Sequence, residues 1–252
     1  MKINRTVLKL IAVIAMTLDH VAFAFLRYDT VAFQLMRLVG KITAPVMCYL
    51  LVEGFLKTSS RKKYLERLLI FAIIAYVPYI LLGHPMVMLG YGSIWQLDFN
   101  MLFTLALCLV MLMAMEKLWN REGSVMEKVV YVTPVLLVTI ILSFFCDWLV
   151  FAPLFVANFY LCRDKKNLMN GITALICIGF CIYTFASFDL YLNNSSLAMR
   201  YSFYSLGIFL NFPLLGMYNH EKGKFDLKYF FYAYYPFHLI VIDLIKYLTM
   251  VK

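Results

Sequence analysis

The sequence predicts an all-α, polytopic transmembrane helical bundle of about nine spans (range eight to ten), with its N-terminus in the cytoplasm. Three observations lead there. Apolar residues fill 63% of the 252 positions and charged residues only 15%, where soluble domains average roughly 45–50% and about 25%; the mean hydropathy is +0.81. The apolar residues gather into stretches close to the ~20 residues that one bilayer crossing needs. The basic residues fall between these stretches in an alternating pattern.

Nine apolar segments run near 7–27, 31–56, 64–82, 97–119, 128–146, 148–162, 168–187, 203–219 and 229–250. The first, behind Lys2, Arg5 and Lys9, imitates a secretory signal. It outruns an h-region, contains Asp19-His20 and lacks a small-x-small cleavage site, so it reads as a retained helix. The second carries Arg37 and Lys41 within it and ends on Glu53 and Lys57, an i,i+4 pair. The third follows the basic turn Arg61-Lys62-Lys63, and the fourth opens on Asp98 and Asn100. The fifth ends just before Asp147. The sixth is short for a span and reads as tilted, re-entrant or paired with the fifth. The seventh carries Cys177 and Cys181, the eighth is plain, and the ninth contains Tyr234-Tyr235-Pro236-Phe237-His238. No repeat is evident and no stretch is polar enough for a soluble domain, so residues 1–252 read as a single membrane domain.

Orientation follows from the excess of Lys and Arg on cytoplasmic loops. Of 23 such residues, 17 lie at 2–9, 57–67, 117–128, 163–166 and 222–228. Four lie on the other side (Arg27, Arg200, Lys246, Lys252), and Arg37 and Lys41 are inside a span. This split puts the N-terminus inside and, with nine spans, the C-terminus outside. It also accounts for the net charge of +9 without nucleic acid as a partner; the partner is the lipid bilayer of the cell's inner membrane. The six cysteines lie in or at the ends of apolar runs, without C-x-x-C or metal-ligand spacing. They read as packing residues, with no metal site.

Charges inside spans are costly and mark functional candidates. Asp19 and His20 precede the turn near residue 29 by about nine or ten residues, and Arg37 follows it by about eight. In an antiparallel hairpin all three then lie about 12–15 Å below the outer end. Lys41 sits one turn deeper on Arg37's face. The competing reading is structural: an Asp19–Arg37 pair locking two helices, with His20 a packing residue. His238 is a second candidate. Tyr234 lies one turn before it, within reach of a Tyr–His hydrogen bond, and Pro236 frees a backbone carbonyl nearby. Asn100 and Asp147, at outer ends, read as substrate contacts or as helix caps. Arg61, Lys62 and Lys63 are first a topology signal and second a site for an anionic lipid or a nucleotide phosphate.

Four stretches, LKLIAVIAMTLDH (8–20), MRLVGKITAPVMCYLLVEGFLKTSSRKKYLERLLIFAIIAYVP (36–78), FNMLFTLAL (99–107) and KYFFYAYYPFHLIVIDLIKYL (228–248), give the chain an ordered set of motifs. They comprise an Asp-His pair, Arg-x-x-Gly-Lys-x-x-x-Pro, Arg-Lys-Lys-Tyr and Tyr-Pro-x-His-Leu. In these the chain resembles the TraX family, multi-pass membrane proteins named for the protein that N-acetylates F-type conjugative pilin. Residues 165–225 carry no sharp match, and Cys146-Asp147-Trp148 only loosely echoes a family Asp.

The resemblance extends to membrane acyltransferases that use a buried His and acyl-CoA. It implies an acetyl-CoA co-substrate and an amine or hydroxyl acceptor, on a protein or an envelope glycan, at the outer face. An α-amine, with a pKa near 8, needs a general base to attack a thioester, and neutral imidazole titrates in the right range. His20 is then the first choice for base, with Asp19 beside it, and His238 the alternative. Arg37 and Lys41 would stabilise an oxyanion or hold an anionic group, with Tyr234, Asn100 and Asp147 as further substrate contacts. Arg61, Lys62 and Lys63 would hold the donor's phosphates. Two other classes fit the residues: a transporter, and a non-enzymatic partner in pilus or envelope assembly.

Overall fold

In the computed structural model, residues 2–84, 98–223 and 228–250 are described. Gly92, in the loop assigned to the outer side, and Lys224 and Lys252, counted in the charge asymmetry, lie outside them. Among the described residues every regular element is helical, and extended pairing is limited to two single-residue bridges.

Helix α1 is Arg5–Phe25, started by Asn4, whose side chain accepts from the Val7 amide. Thr30 caps α2, Val31–Gly40, in the same way. The second segment breaks there and resumes as α3, Thr43–Lys57. Pro45, in the first turn of α3, has no amide to continue the ladder back to Lys41. Ser60 caps α4, Arg61–Ile74, which bends by 46° into α5, Tyr76–Gly83. Pro78 likewise leaves the Ile74 carbonyl without its helical donor. Helix α6 is Met101–Trp119 and α7 is Val125–Ser143, the latter opened by a capping box between Ser124 and Glu127. Trp148 and Leu149 then take positive φ, 65° and 41°, so the chain turns sharply before α8, Phe151–Leu161. Helix α9 is Lys166–Leu192 and α10 is Ser195–Ser202. The eighth segment is a 3-10 helix, Phe203–Leu210, followed by the short α11, Asn211–Gly216. Helix α12, Lys228–Met250, carries His238 and Pro236.

Among the described residues five helices are long and apolar enough to cross a membrane: α1, the α2–α3 run, α6, α7 and α9; the bent α4–α5 pair is a sixth. The protein is thus a multi-pass helical membrane protein. Four of the nine expected segments are not single long helices: the second breaks between α2 and α3, the third bends between α4 and α5, α8 has 11 residues, and the eighth is broken into a 3-10 and an α piece. Helix α12 has ample length at 23 residues, but its tyrosines, His238, Asp243 and Lys246 dilute its apolarity. Helices α7 and α9 bury only 11% and 22% of their most apolar stretches, so their apolar side chains face outward, as lipid-facing helices require.

The chain forms two compact units. One comprises Met1–Met47, Asn170–Tyr234 and His238–Lys252. Here α1 and α2 are the antiparallel hairpin expected from the sequence. The 3-10 helix lies against α2: a Cβ on Gly207 would sit 1.8 Å from the Leu38 carbonyl oxygen. Gln34 ties the same two elements, donating to the carbonyls of Tyr28 and Tyr201 and accepting from the Tyr204 amide. Helices α1 and α12 run side by side and parallel, because Lys9, Thr17 and His20 meet Phe231, Tyr234 and His238 in that order. Near the chain start, Ile3 pairs with Met217 and Asn219, and the Arg5 amide donates to Glu221.

The other unit comprises Cys48–Met169 and Tyr235–Phe237. Its core stacks Phe155 on Phe159, with Tyr49 edge-on to Phe159 and Phe55 edge-on to Tyr160. Phe99 exchanges backbone hydrogen bonds with Phe145 and Asp147, joining the start of α6 to the chain after α7. Arg61 and Glu116 form a two-pronged ion pair, joining the start of α4 to the end of α6.

The contact at Gly207 gives a stability prediction. Gly207→Ala forces backbone apart and should cost about 1–3 kcal/mol, the usual scale of overpacking. Gly171→Ala in α9, where an added Cβ meets nothing within 4 Å, should instead be neutral or stabilising by up to about 1 kcal/mol. Thermal unfolding in detergent compares the two; equal midpoints would refute the close contact.

Candidate functional site

The polar residues of α1 and α2 converge as their depths require. Arg37 Nη1 donates to Asp19 Oδ2 at 2.5 Å, and Lys41 Nζ lies 3.2 Å from Asp19 Oδ1. One carboxylate thus faces two cations, with all three side chains no more than 16% exposed. Gly40 makes the approach possible, since a Cβ there would stand 2.4 Å from the Asp19 side chain. Tyr204 closes the group from the 3-10 helix: its ring centroid lies 5.0 Å from the Arg37 guanidinium and 5.2 Å from Lys41 Nζ. Phe23 and Phe33 add two more ring faces to Arg37. Such contacts suit a cation held away from water.

On the adjoining face of α1, His20 Nδ1 is 2.8 Å from His238 Nε2. His238 is 4% exposed, and its Nδ1 donates to the Tyr234 carbonyl at 3.0 Å. The Tyr234 ring stacks on the His238 ring at 5.3 Å, nearly parallel at 7°. Thr17 Oγ1 donates to the Val13 carbonyl, which spends its only proton, so the Tyr234 hydroxyl is the donor in its 2.9 Å bond to Thr17. The Tyr–His hydrogen bond expected from sequence therefore exists through the backbone carbonyl. The hydroxyl, carried off along the stacked ring, is used on α1 instead.

The structure brings Asp19, His20, Arg37, Lys41, Tyr234 and His238 together within one unit. The remaining sequence candidates lie in the other. Asn100 is fully buried, caps α6 by accepting from the Leu102 amide, and donates to the Ala72 carbonyl. Asp147 accepts from the Trp148 amide, and its carbonyl takes the Thr104 hydroxyl. Both are engaged in shaping turns. Arg61 is paired with Glu116 and lies over the Phe55 ring at 4.3 Å, while Lys62 and Lys63 are exposed.

Two participants, Tyr204 and Thr17, and one further buried charge, Asp243, escaped the sequence reading. Tyr204 sits in a segment without a sharp motif, and Thr17 is one of many span threonines; neither carries a local signal. Asp243 did carry one, as a charge inside a span. It is 7% exposed, and neither carboxylate oxygen has a hydrogen-bond partner among the described residues.

Fold and site together define a multi-pass helical membrane protein with a buried ion cluster beside a pair of imidazoles. The chain belongs to the TraX family: the family model described as TraX protein matches residues 4–246. A curated relative from Dichelobacter nodosus, described as probable fimbrial assembly protein FimC, serogroup H1, is 30% identical over 246 residues, 93% of this chain and 92% of its own. No solved structure matches.

The ion cluster and the imidazoles should separate by experiment. Removing one partner of a buried ion pair typically costs about 3–5 kcal/mol, so Asp19→Ala should lower the unfolding midpoint strongly. His20→Ala, which removes no charge from the cluster, should lower it much less. The reverse order in thermal unfolding would show that the carboxylate is not the structural member.

Proposed function

We propose that this protein is a membrane acyltransferase, moving an acetyl group from cytoplasmic acetyl-CoA to an amine or hydroxyl at the outer face of the inner membrane. The observation carrying this reading is the contact between His20 and His238 beside Asp19, Arg37 and Lys41. It supplies an imidazole base and two cations at one depth, the components that attack on a thioester requires. As the acceptor nitrogen or oxygen bonds to the thioester carbon, imidazole takes its proton; the C–S bond breaks, and the departing thiolate takes that proton to give free CoA. Arg37 or Lys41 faces the negative charge that develops on the carbonyl oxygen. The acceptor reading is a pilin-like protein, supported by the Dichelobacter relative's description as a fimbrial assembly protein; an envelope glycan offers the same chemistry.

Nine crossings with the N-terminus inside complete the proposal. Two parallel spanning helices, α1 and α12, require an odd number of crossings in all. The paired ends also agree with the charge asymmetry. Ile3 and Arg5 meet residues 217–221 at a basic end, Arg61 meets Glu116 at another, and the turn carrying Arg27 meets Tyr201, beside Arg200, at a sparsely basic one.

Reporters fused after Lys63 or Lys165 should read cytoplasmic, and reporters near Gly92 or at the C-terminus outside. A C-terminal reporter reading inside would give an even count and defeat the topology.

Mass spectrometry of membrane proteins and envelope glycans, with and without the protein, should reveal an acetyl group that depends on it. His20→Ala should reduce its formation at least ~10²-fold, the scale of losing an acid–base group, in protein that is still inserted. Full acetylation by this variant would refute the assignment.

A further inference from the structure

The hydrogen bonds around the two imidazoles give them different roles. A carbonyl oxygen can only accept, so the His238 nitrogen facing the Tyr234 carbonyl, Nδ1, carries a proton. In a neutral imidazole the other nitrogen, Nε2, then holds the lone pair. That nitrogen lies 2.8 Å from His20 Nδ1, so His20 Nδ1 is the donor and His20 Nε2 keeps its own lone pair. We infer that His238 is a positioning residue that fixes His20 in its Nδ1–H tautomer and leaves His20 Nε2 as the basic atom of the site.

The surroundings hold this chain of bonds in place. The Tyr234 ring covers the His238 ring, and its hydroxyl is spent on Thr17. At 4% exposure, water has little access to exchange the His238 protons. Asp19, despite being adjacent in sequence, is engaged elsewhere: its two oxygens face Arg37 and Lys41. Successive helical residues also do not face each other. The role that a carboxylate often plays toward a catalytic imidazole thus falls to a second imidazole, whose orientation comes from a backbone carbonyl on its own helix. The neutral acceptor orients His20 without adding a charge beside the two cations.

The inference rests on the acyltransferase reading for its use, but not for its geometry. During transfer the acceptor's proton goes to His20 Nε2 and from there to the leaving thiolate. The protons on His20 Nδ1 and His238 Nδ1 stay where they are. His238 is therefore not an alternative base, because its one lone pair is already taken.

The test uses the full-length protein in lipid nanodiscs with its histidines labelled with nitrogen-15, the His84 and His220 signals being assigned by substitution. The ring-nitrogen shifts should report Nδ1–H for His20. His238→Leu should release it to a mixture, whereas His238→Gln should keep it, because the Gln oxygen can accept where Nε2 did. With labelled acetyl-CoA, His238→Leu should lower kcat about 10–100-fold, as losing a group that orients an active residue does, with KM little changed. His238→Gln should recover most of that loss. A wild-type His20 protonated at Nε2, or a Gln variant no better than Leu in both tautomer and kcat, would overturn the inference. Nδ1–H on His20 in a protein that transfers nothing to any acceptor would support the positioning role and count against the acyltransferase reading.

Discussion

A single carboxylate shared by two cations inside the membrane is the constraint on which this half of the molecule depends. Desolvating an ion costs several kcal/mol, while a pair near 4 Å gains on the order of 4 kcal/mol at an effective dielectric of 20. With only one partner, Arg37 or Lys41 would about break even or lose. Asp19 meets both, through separate oxygens, and aromatic faces take up the rest. The geometry then propagates outward. Gly40 must lack a side chain for α2 to approach Asp19, and Gly207 must lack one for the 3-10 helix to bring Tyr204 over the cations. A Cβ on Gly207 would overlap the Leu38 carbonyl, so the two backbones approach there as only glycine permits.

What was legible in the sequence divides by distance along the chain. Asp19, Arg37 and Lys41 belong to one hairpin, where rise per residue and helical periodicity alone predict depth and facing. The hairpin and the site's ion pairs were readable for that reason. The pairing of His20 with His238 spans 218 positions, and no periodicity links α1 to α12; motifs marked each histidine as a candidate but not their contact. Tyr204 had neither aid. Within segments, apolar runs found the helices but not their interruptions, although Pro45 and Pro78 mark two of them in plain sight. Apolarity is a property of the solvent a segment meets. Continuity depends on each backbone donor, which a hydropathy pattern does not count.

The division between α1's two faces explains how a charged cluster and a pair of imidazoles coexist. Asp19 and His20 are neighbours in sequence but point about 100° apart around the helix axis. One face turns to α2, where charge is concentrated and neutralised in part; the other turns to α12, where the hydrogen bonds of Thr17 and His20 are to Tyr234 and His238 and to no ion. Had the carboxylate faced the imidazole directly, it would have had to surrender one of its cations. A second imidazole avoids that conflict, since it orients by hydrogen bonding alone.

This separation also determines what each part can contribute to chemistry in a bilayer. An imidazole acts as a base only while neutral, so it gains from a neutral partner and from neighbours whose positive charge is already matched. An oxyanion gains from the opposite, a cation close enough to respond as charge develops. In the proposed acyl transfer both needs would be met, because a single turn of α1 presents the carboxylate to one side and the imidazole to the other. Moving His20 by one position would take its ring off the α12 face, and moving Asp19 would strand two cations in the membrane. The adjacency of Asp19 and His20 therefore reflects two requirements met by consecutive residues on separate faces, and their contact with each other is not one of them.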